Sequence, residues 1–265
     1  TVGGGVGYEW GETSVQLHVG VNRLDDSFQT QAILVGSQEL GAREILFMER
    51  QRTVTSLRAE RHLSLGDDLQ LKLVVYGEGH ALPRGVLRQD DLDEEVLPAD
   101  QGWLVGFQVG AHGFGSNAHA NLFVRYGDGL GAYDEMAIPV GLNREKTASG
   151  AREILAGLSS NWEPTSSYGI LVGAYTRYFV DADPNVYDRD DALEVGASVR
   201  PVWFVTDHLH LVAEGNFQYL RPNGLSPETA EHDKPMVVQL GLMPSISIGS
   251  GSYARPQLRL MYVAT

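Results

Sequence analysis

The sequence contains no cysteine, no cluster of basic residues and no long apolar run. Without cysteine, disulfide scaffolds, zinc sites built on thiolates and thiol catalysis are excluded. No stretch approaches the roughly 18 uninterrupted apolar residues that a membrane-spanning helix requires. The chain is therefore either a soluble protein or one that crosses a membrane as strands.

Positive charge is also scarce. The 20 lysines and arginines are outnumbered by 34 aspartates and glutamates, which gives a formal net charge of −14 over 265 residues. A nucleic-acid surface needs clustered cations that neutralise phosphates, so we expect no nucleic-acid partner. Glycine is abundant instead, at 31 residues without the period of three that collagen needs, and the excess must serve turns or close backbone approaches.

Apolar and polar residues alternate with a period of two along much of the chain. Each alternating run indicates a strand with one apolar and one polar face. The runs at 168–178, 193–203 and 209–219 span 11 residues each. Strands of soluble sandwiches usually have about five or six residues, whereas tilted membrane-crossing strands need about nine to eleven. Shorter runs of the same kind lie at 15–21, 69–75, 103–109 and 236–242.

Aromatic residues stand at the ends of several apolar parities, as in the girdles of a membrane barrel. Short links such as 206–208 alternate with long polar connections at 80–100, 128–150, 180–191 and 221–235. Short turns at one rim and long loops at the other are typical of bacterial outer-membrane barrels. The sequence predicts an all-β fold: an antiparallel transmembrane β-barrel of about twelve strands, in a single domain over residues 1–265. A soluble barrel or sandwich is the alternative.

The inward parities of such a barrel carry both aromatic rings and charged groups. Flat aromatic faces suit the apolar side of a sugar ring, and charged hydrogen-bonding groups suit its hydroxyls. An alternative interpretation is a salt-bridge ladder that only holds the barrel open. The inward residues are Tyr76, His119, Phe123, Tyr175 and Tyr253, with Arg52, Arg58, Lys72, Arg125, Arg177, Arg200, Arg255, Arg259, Glu60, Glu78, Glu194 and Glu214.

The acidic segment 181–191 begins like a calcium-binding loop but lacks two of its essential residues. Val186 stands where the tight-turn glycine belongs, and Ala192 where the bidentate glutamate belongs. We therefore expect no cofactor, with adventitious calcium between acidic loops as the one exception. No G-x-S-x-G nucleophile motif occurs, and we expect no enzymatic activity.

Several segments form an ordered set of strand motifs. Residues 253–262 read Y-A-R-P-Q-L-R-L-M-Y, 195–203 read V-G-A-S-V-R-P-V-W, 102–104 read G-W-L and 121–126 read N-L-F-V-R-Y. These segments resemble the W-x-R-P-x-I-R, V-G-I-R-P-x-Y, G-W-L and F-V-V-Q-Y motifs of the maltoporin family of sugar-selective outer-membrane porins. The order and spacing also match through 157–162, and the resemblance covers about residues 40–265.

The resemblance implies an 18-stranded barrel, normally trimeric, in the outer membrane of a Gram-negative bacterium. Such a barrel passes maltodextrins or related sugars along an aromatic slide flanked by polar tracks. By position, Tyr253 falls on a slide aromatic that is tryptophan in the family, and it also lies on the inward parity. His119 falls where the family has a slide phenylalanine, and Phe123, four residues later on the same inward parity, can take over its stacking.

These observations predict an outer-membrane porin, a passive diffusion channel that prefers sugars. Its expected partners are small-molecule sugars, outer-membrane lipid and two further copies in a homotrimer. The predicted sugar-binding residues are Tyr253, Phe123 and His119 for ring stacking, and Arg125, Arg200, Arg255, Arg259 and Glu214 for hydroxyls or ion selectivity.

A structural or assembly barrel of a larger envelope complex is the alternative function. Its lumen would be plugged, and its inward arginines and glutamates would pair with one another. The expected number of strands is also smaller than in the family, and the chain ends at Ala264 and Thr265 instead of an aromatic residue. We expect either part of a longer protein, lacking the earliest strands and the last strand, or a shortened relative with a narrower bore.

Overall fold

The structure is a computed structural model that describes most of the chain. The described residues are 2–22, 33–35, 43–45, 51–66, 68–89, 93–133, 142–183, 191–222, 231, 234–249, 251–252 and 256–264. They form strands, turns and one short 3-10 helix, Leu130–Ala132. Within these ranges no helix is long and apolar enough to span a membrane.

The strands follow one another in an antiparallel meander. Their bounds are β1 (Val2–Trp10), β2 (Thr13–Asn22), β3 (Ile33–Val35), β4 (Arg43–Ile45), β5 (Arg52–Ser64), β6 (Gln70–Leu82), β7 (Gly85–Gln89), β8 (Asp93–Leu97), β9 (Asp100–His112), β10 (His119–Gly129), β11 (Arg152–Thr165), β12 (Tyr168–Val180), β13 (Ala192–Phe204), β14 (Leu209–Pro222), β15 (Met236–Ser247), β16 (Gln257–Arg259) and β17 (Tyr262–Ala264).

One 13-stranded sheet contains all the long strands. Its order is β1-β2-β5-β6-β9-β10-β11-β12-β13-β14-β15-β16, and β17 also pairs with β15. Because β16 and β17 are short and share one neighbour, the sheet has twelve strand positions, as the sequence predicts. In the described part of the chain β1 pairs only with β2, so the sheet is open between its first and last strands. The pairs β3-β4 and β7-β8 are small hairpins within long connections.

The two faces of the sheet differ as the alternation predicts. Register pairs place Val75 beside Phe107 and Phe107 beside Val124, and all three side chains are exposed on the apolar face. Because a side chain on a strand changes face at every residue, the intervening residues share the opposite face, which carries the charged groups. Many strands run 13 or 14 residues, longer than the 11-residue apolar runs. The backbone hydrogen bonds between strands continue beyond the apolar band, because the backbones of the polar residues at both edges also pair.

The predicted alternation of short and long connections is confirmed. Links at 11–12, 65–69, 113–118, 166–167 and 205–208 lie at one edge of the sheet, which we call the short-turn rim. The strands that are joined by the connections at 83–99, 130–151, 181–191 and 223–235 end at the other edge, which we call the long-loop rim. Gly113 shows why glycine is needed in these turns: its φ is +81°, and a Cβ atom there would collide with the carbonyl oxygen of Asp68.

Two clusters of buried apolar residues lie on the charged face, one at each rim. One cluster, at the long-loop rim, consists of Leu82, Leu130, Ala132, Tyr133, Ala148, Ala151 and Phe179. The other, at the short-turn rim, consists of Val202, Phe204, Val212 and Met243. Between the two clusters the charged face carries polar side chains and aromatic rings, and this middle zone contains the candidate site.

Candidate functional site

A row of alternating charges crosses four neighbouring strands on the charged face. Glu153 on β11 is 1% exposed, and its Oε1 accepts hydrogen bonds from Nε and Nη2 of Arg125 on β10, at 2.9 and 2.5 Å. Its Oε2 accepts a 2.6 Å hydrogen bond from Nε of Arg177 on β12. Nη1 of Arg177 lies 3.5 Å from Glu194 on β13. We call these four residues the charge ladder.

The charge ladder fixes two guanidinium groups at the wall of the site. Hydrogen bonds between charged groups are stronger than those between neutral groups, so Glu153 holds the planar guanidinium groups of Arg125 and Arg177 in defined positions. The side chains of Arg125 and Arg177 remain 24% and 27% exposed, which lets a solute approach them. Arg177 also lies 4.8 Å from the ring centre of Phe179, a cation–π contact that restricts it further.

Three aromatic rings on the charged face each cover a glycine of the next strand. A Cβ atom at any of these glycines would overlap atoms of the ring, so only glycine lets the ring lie against the neighbouring backbone. The ring in turn covers backbone that glycine leaves bare. The pairs are Tyr76 over Gly106, Phe123 over Gly157 and Tyr175 over Gly196.

The rings and the charge ladder are adjacent. Phe123, Gly157, Tyr175 and Gly196 are successive register partners across β10 to β13, so they form one row, which we call the ring row. The charge ladder lies two residues farther along the same strands. Arg125 follows Phe123 by two residues on β10, and Arg177 follows Tyr175 by two residues on β12. Two residues of strand span about 7 Å. A flat apolar surface therefore runs beside a row of hydrogen-bonding charges.

Two further ion clusters lie on the same face. Nε of Arg200 donates to Glu214 at 2.5 Å, and Asn216 donates to the other carboxylate oxygen at 2.8 Å. On β5, Glu60 contacts Arg58 and lies 3.0 Å from Nζ of Lys72. In both clusters a carboxylate is paired with cationic side chains on the charged face, Glu214 with Arg200 and Glu60 with Arg58 and Lys72.

The 3-10 helix narrows the middle zone from the long-loop rim, and we call it the rim helix. Arg52 on β5 donates from Nη2 to the carbonyl oxygens of Leu130 and Tyr133, at 2.6 and 3.1 Å. Its Nε donates to Nδ1 of His80 at 3.1 Å. A Cβ atom at Gly102 would overlap the backbone of the rim helix, so this glycine permits the close approach. The rim helix is therefore fastened to the inner wall.

A second segment is bound at the short-turn rim. The buried carboxylate of Glu163 accepts a 2.9 Å hydrogen bond from Nδ2 of Asn117 and a 2.7 Å hydrogen bond from the backbone N–H of Ser252. A Cβ atom at Gly169 would lie 3.0 Å from Cγ of Glu163 and 3.2 Å from Oγ of Ser252. We call residues 251–252 the turn segment. Glu163 holds the turn segment against β11 and β12, on the inner face of the sheet.

The predicted site residues are distributed over this face. Phe123 and Arg125 lie in the ring row and the charge ladder, and Arg200 contacts Glu214 directly. His119 stands at the short-turn end of β10, four residues from Phe123, so it is separate from the ring row. The remaining predicted residues are Arg259, which donates to Gln257 at 2.9 Å, and Tyr253 and Arg255, which lie outside the described residues.

Sequence reasoning missed several contributors. Glu153 was not recognised, although its alternation partners Leu155 and Gly157 indicate an inward position. The rim helix was also missed, and its signal is the glycine-rich stretch 127–131, which allows backbone to pack on backbone. Most of the calcium-like segment, 184–190, lies outside the described residues, and no group of three metal-ligating side chains forms among the residues that are described.

An antiparallel sheet with an apolar outer face, aromatic rings beside charges on its inner face, and short and long connections at opposite rims defines a porin. The LamB porin family matches residues 1–265, and the chain belongs to this family. The match confirms the resemblance to maltoporins and extends it to the whole sequence. The protein is thus an outer-membrane porin, and its family consists of channels and not of enzymes. The open sheet forms part of the wall of a β-barrel. No curated protein matches the chain.

Proposed function

We propose that the protein is a passive diffusion channel that prefers sugars. The observation that carries this proposal is the ring row beside the charge ladder. On the same face, Phe123 and Tyr175 lie two residues along their strands from Arg125 and Arg177. A sugar has an apolar ring face and polar hydroxyl edges. The ring row offers a surface for the apolar face of the sugar, and the charge ladder offers hydrogen-bond partners for its hydroxyls. The glycines under the rings let the rings lie flat against the strands.

The chemistry requires weak binding. A channel solute must bind strongly enough to enter and weakly enough to leave, which favours several shallow sites over one deep site. Ring stacking supplies about 0.5–1.5 kcal/mol for each ring, and the guanidinium groups can exchange hydroxyl partners as the sugar advances. We assign hydroxyl binding or ion selectivity also to Arg200, Arg259 and Glu214.

The test is single-channel recording in planar bilayers with maltodextrins of increasing length. Phe123→Ala and Tyr175→Ala should each raise the sugar concentration that half-blocks the ion current by about three- to tenfold. Phe107→Ala is the matched control, because it removes the same ring from the exposed apolar face of the neighbouring strand β9. Equal effects of Phe107→Ala and Phe123→Ala would remove the ring row from the sugar path.

A structural or assembly barrel without an open channel is the second candidate. The observation that favours it is the pairing of inward arginines with glutamates, as in Arg125 with Glu153 and Arg200 with Glu214. The rim helix and the turn segment also occupy inner space. A correctly folded protein that gives no channels in the bilayer would support this candidate over the sugar channel.

The broader setting is also proposed from the family and the sequence. We place the protein in the outer membrane of a Gram-negative bacterium, with residues 1–265 as one barrel domain, sugars and membrane lipid as partners, and no cofactor. A homotrimer fits the weakly apolar outward residues Thr53, Thr55, Leu57 and Ala59 of β5, which suit a neighbouring subunit. We keep Tyr253 and His119 as further stacking residues and Arg255 as a further hydroxyl ligand, to be tested by alanine substitution in the same recordings.

A further inference from the structure

A depression of about 540 Å³ opens at the long-loop rim where β12, β13 and β14 end. It contains two cationic side chains beside an aromatic and apolar floor. The residues that carry the argument are Tyr178, Val180, Leu193, Arg221, Pro222 and Lys234. We call it the rim pocket.

The strand register brings the two cations side by side. Tyr178 pairs with Leu193, and Leu193 pairs with Arg221, so the three residues form one row on the outward face. The N–H of Leu220 donates to the carbonyl oxygen of Pro235 at 3.0 Å, which continues the pairing of β14 with the chain ahead of β15. Since Tyr219 pairs with Met236, this continuation sets Lys234 opposite Arg221.

The rim pocket lies at the level of the lipid headgroups, on the outer side of the membrane, because the long loops of outer-membrane barrels are extracellular. Along the outward parity of β14, apolar residues lead to Phe217 and Tyr219, and Arg221 comes next. Tyrosine rings concentrate at the membrane–water interface, with their polar tips toward the headgroups. Arg221 is the next outward-facing residue after Tyr219, and it lies next to the exposed ring of Tyr178. Its side chain therefore points into the headgroup layer and not into the lumen.

The charges of the rim pocket suit an anion. Among the residues that the structure describes, the side chains of Arg221 and Lys234 take part in no hydrogen bond or ion pair. The pocket holds one carboxylate, that of Asp191, and its Oδ1 accepts a 2.6 Å hydrogen bond from the N–H of Asp181. The guanidinium fork and the ammonium group can bind one phosphate together, while Val180 and Leu193 contact the attached apolar groups.

We propose that the rim pocket binds the phosphate of a phosphorylated glycolipid in the outer leaflet of the membrane. The apolar floor and the girdle tyrosines favour a phosphate attached to a lipid over free phosphate. Basic pockets at the ends of membrane-spanning elements bind anionic headgroups, with each cation contributing about fivefold in affinity. The proposal rests on the outer-membrane barrel and is independent of sugar transport.

The test measures lipid binding to the purified, folded porin in lauryldimethylamine oxide micelles by native mass spectrometry. The probe is bisphosphorylated lipid A, added in the presence of EDTA so that divalent ions cannot bridge carboxylates to phosphate. Arg221→Gln and Lys234→Gln should each weaken binding about fivefold, and the double variant about 30-fold. The matched control, Arg84→Gln with Arg144→Gln, removes the same charge from exposed positions at the same rim, outside the pocket lining, and should change binding less than twofold.

Two further arms identify the source of the phosphate. Dephosphorylated lipid A should bind the unsubstituted protein about as weakly as bisphosphorylated lipid A binds the double variant. Inorganic phosphate at equal concentration should not displace the lipid. Equal weakening by the control, unchanged binding by the variants, or displacement by inorganic phosphate would each overturn the proposal. Heat-modifiable gel mobility verifies folding, and if the double variant does not fold, the two single variants decide the outcome. Sugar block measured on the same variants separates this proposal from the channel function.

Discussion

The central carboxylate of the charge ladder offers the sharpest test of the inner wall. Glu153→Gln keeps the shape of the side chain but removes the charge that joins Arg125 to Arg177. Glu153 is 1% exposed and accepts hydrogen bonds of 2.5–2.9 Å from both guanidinium groups. Losing the charged partner leaves two cations facing each other across a neutral amide, so the substitution should destabilise the barrel by about 3 kcal/mol.

The same substitution should change ion selectivity. Because two partly exposed cations lose their counter-charge, the wall gains one net positive charge at the charge ladder. The reversal potential in a potassium chloride gradient should therefore shift toward anion preference. Stability is measured by urea unfolding of the folded barrel in lipid vesicles, and selectivity by reversal potential in planar bilayers.

Glu194→Gln is the matched control for Glu153→Gln. Glu194 stands at the end of the same charge ladder, 3.5 Å from Arg177, with its side chain 34% exposed. Water screens this pair, so its loss should cost less than about 1 kcal/mol. If Glu153→Gln destabilises no more than Glu194→Gln, the reasoning that Glu153 organises the wall is refuted.

Three other substitutions test separate parts of the inner face. Gly157→Val should displace the ring above it and raise the half-blocking sugar concentration about three- to tenfold, measured by current block, while Gly173→Val, with open space around its Cβ, should leave block unchanged. Arg52→Gln should release the rim helix and increase single-channel conductance; unchanged conductance would show that the rim helix does not limit the current. Glu163→Gln should release the turn segment and raise conductance from the other rim, and cysteine accessibility at Ser252→Cys should rise with it.

Alternation specified which residues share a face, and the structure confirms those assignments along β9, β12, β13 and β14. A period of two is a local property, so a single strand already reveals its own apolar side. The girdle aromatics and the order of short and long links were also predictable, because each depends only on residues that are close together in the sequence.

Partnerships between strands were not predictable in this way. Glu153 meets Arg125 only because of the β10–β11 register, and a long connection, 130–151, separates the two strands. Alternation fixes the face but not the register across such a loop. The glycine beneath Phe123 was hidden for the same reason. The rim helix and the turn segment depend on backbone packing over glycines, which the sequence signals only as an excess of that residue.

The most direct test of the account is single-channel recording of the folded protein, followed by titration with maltodextrins of increasing length. The account predicts open channels whose current is blocked in a saturable manner, more tightly by longer sugars, and less tightly after Tyr175→Ala. Open channels that maltodextrins do not block, or a folded protein that forms no channels, would contradict it.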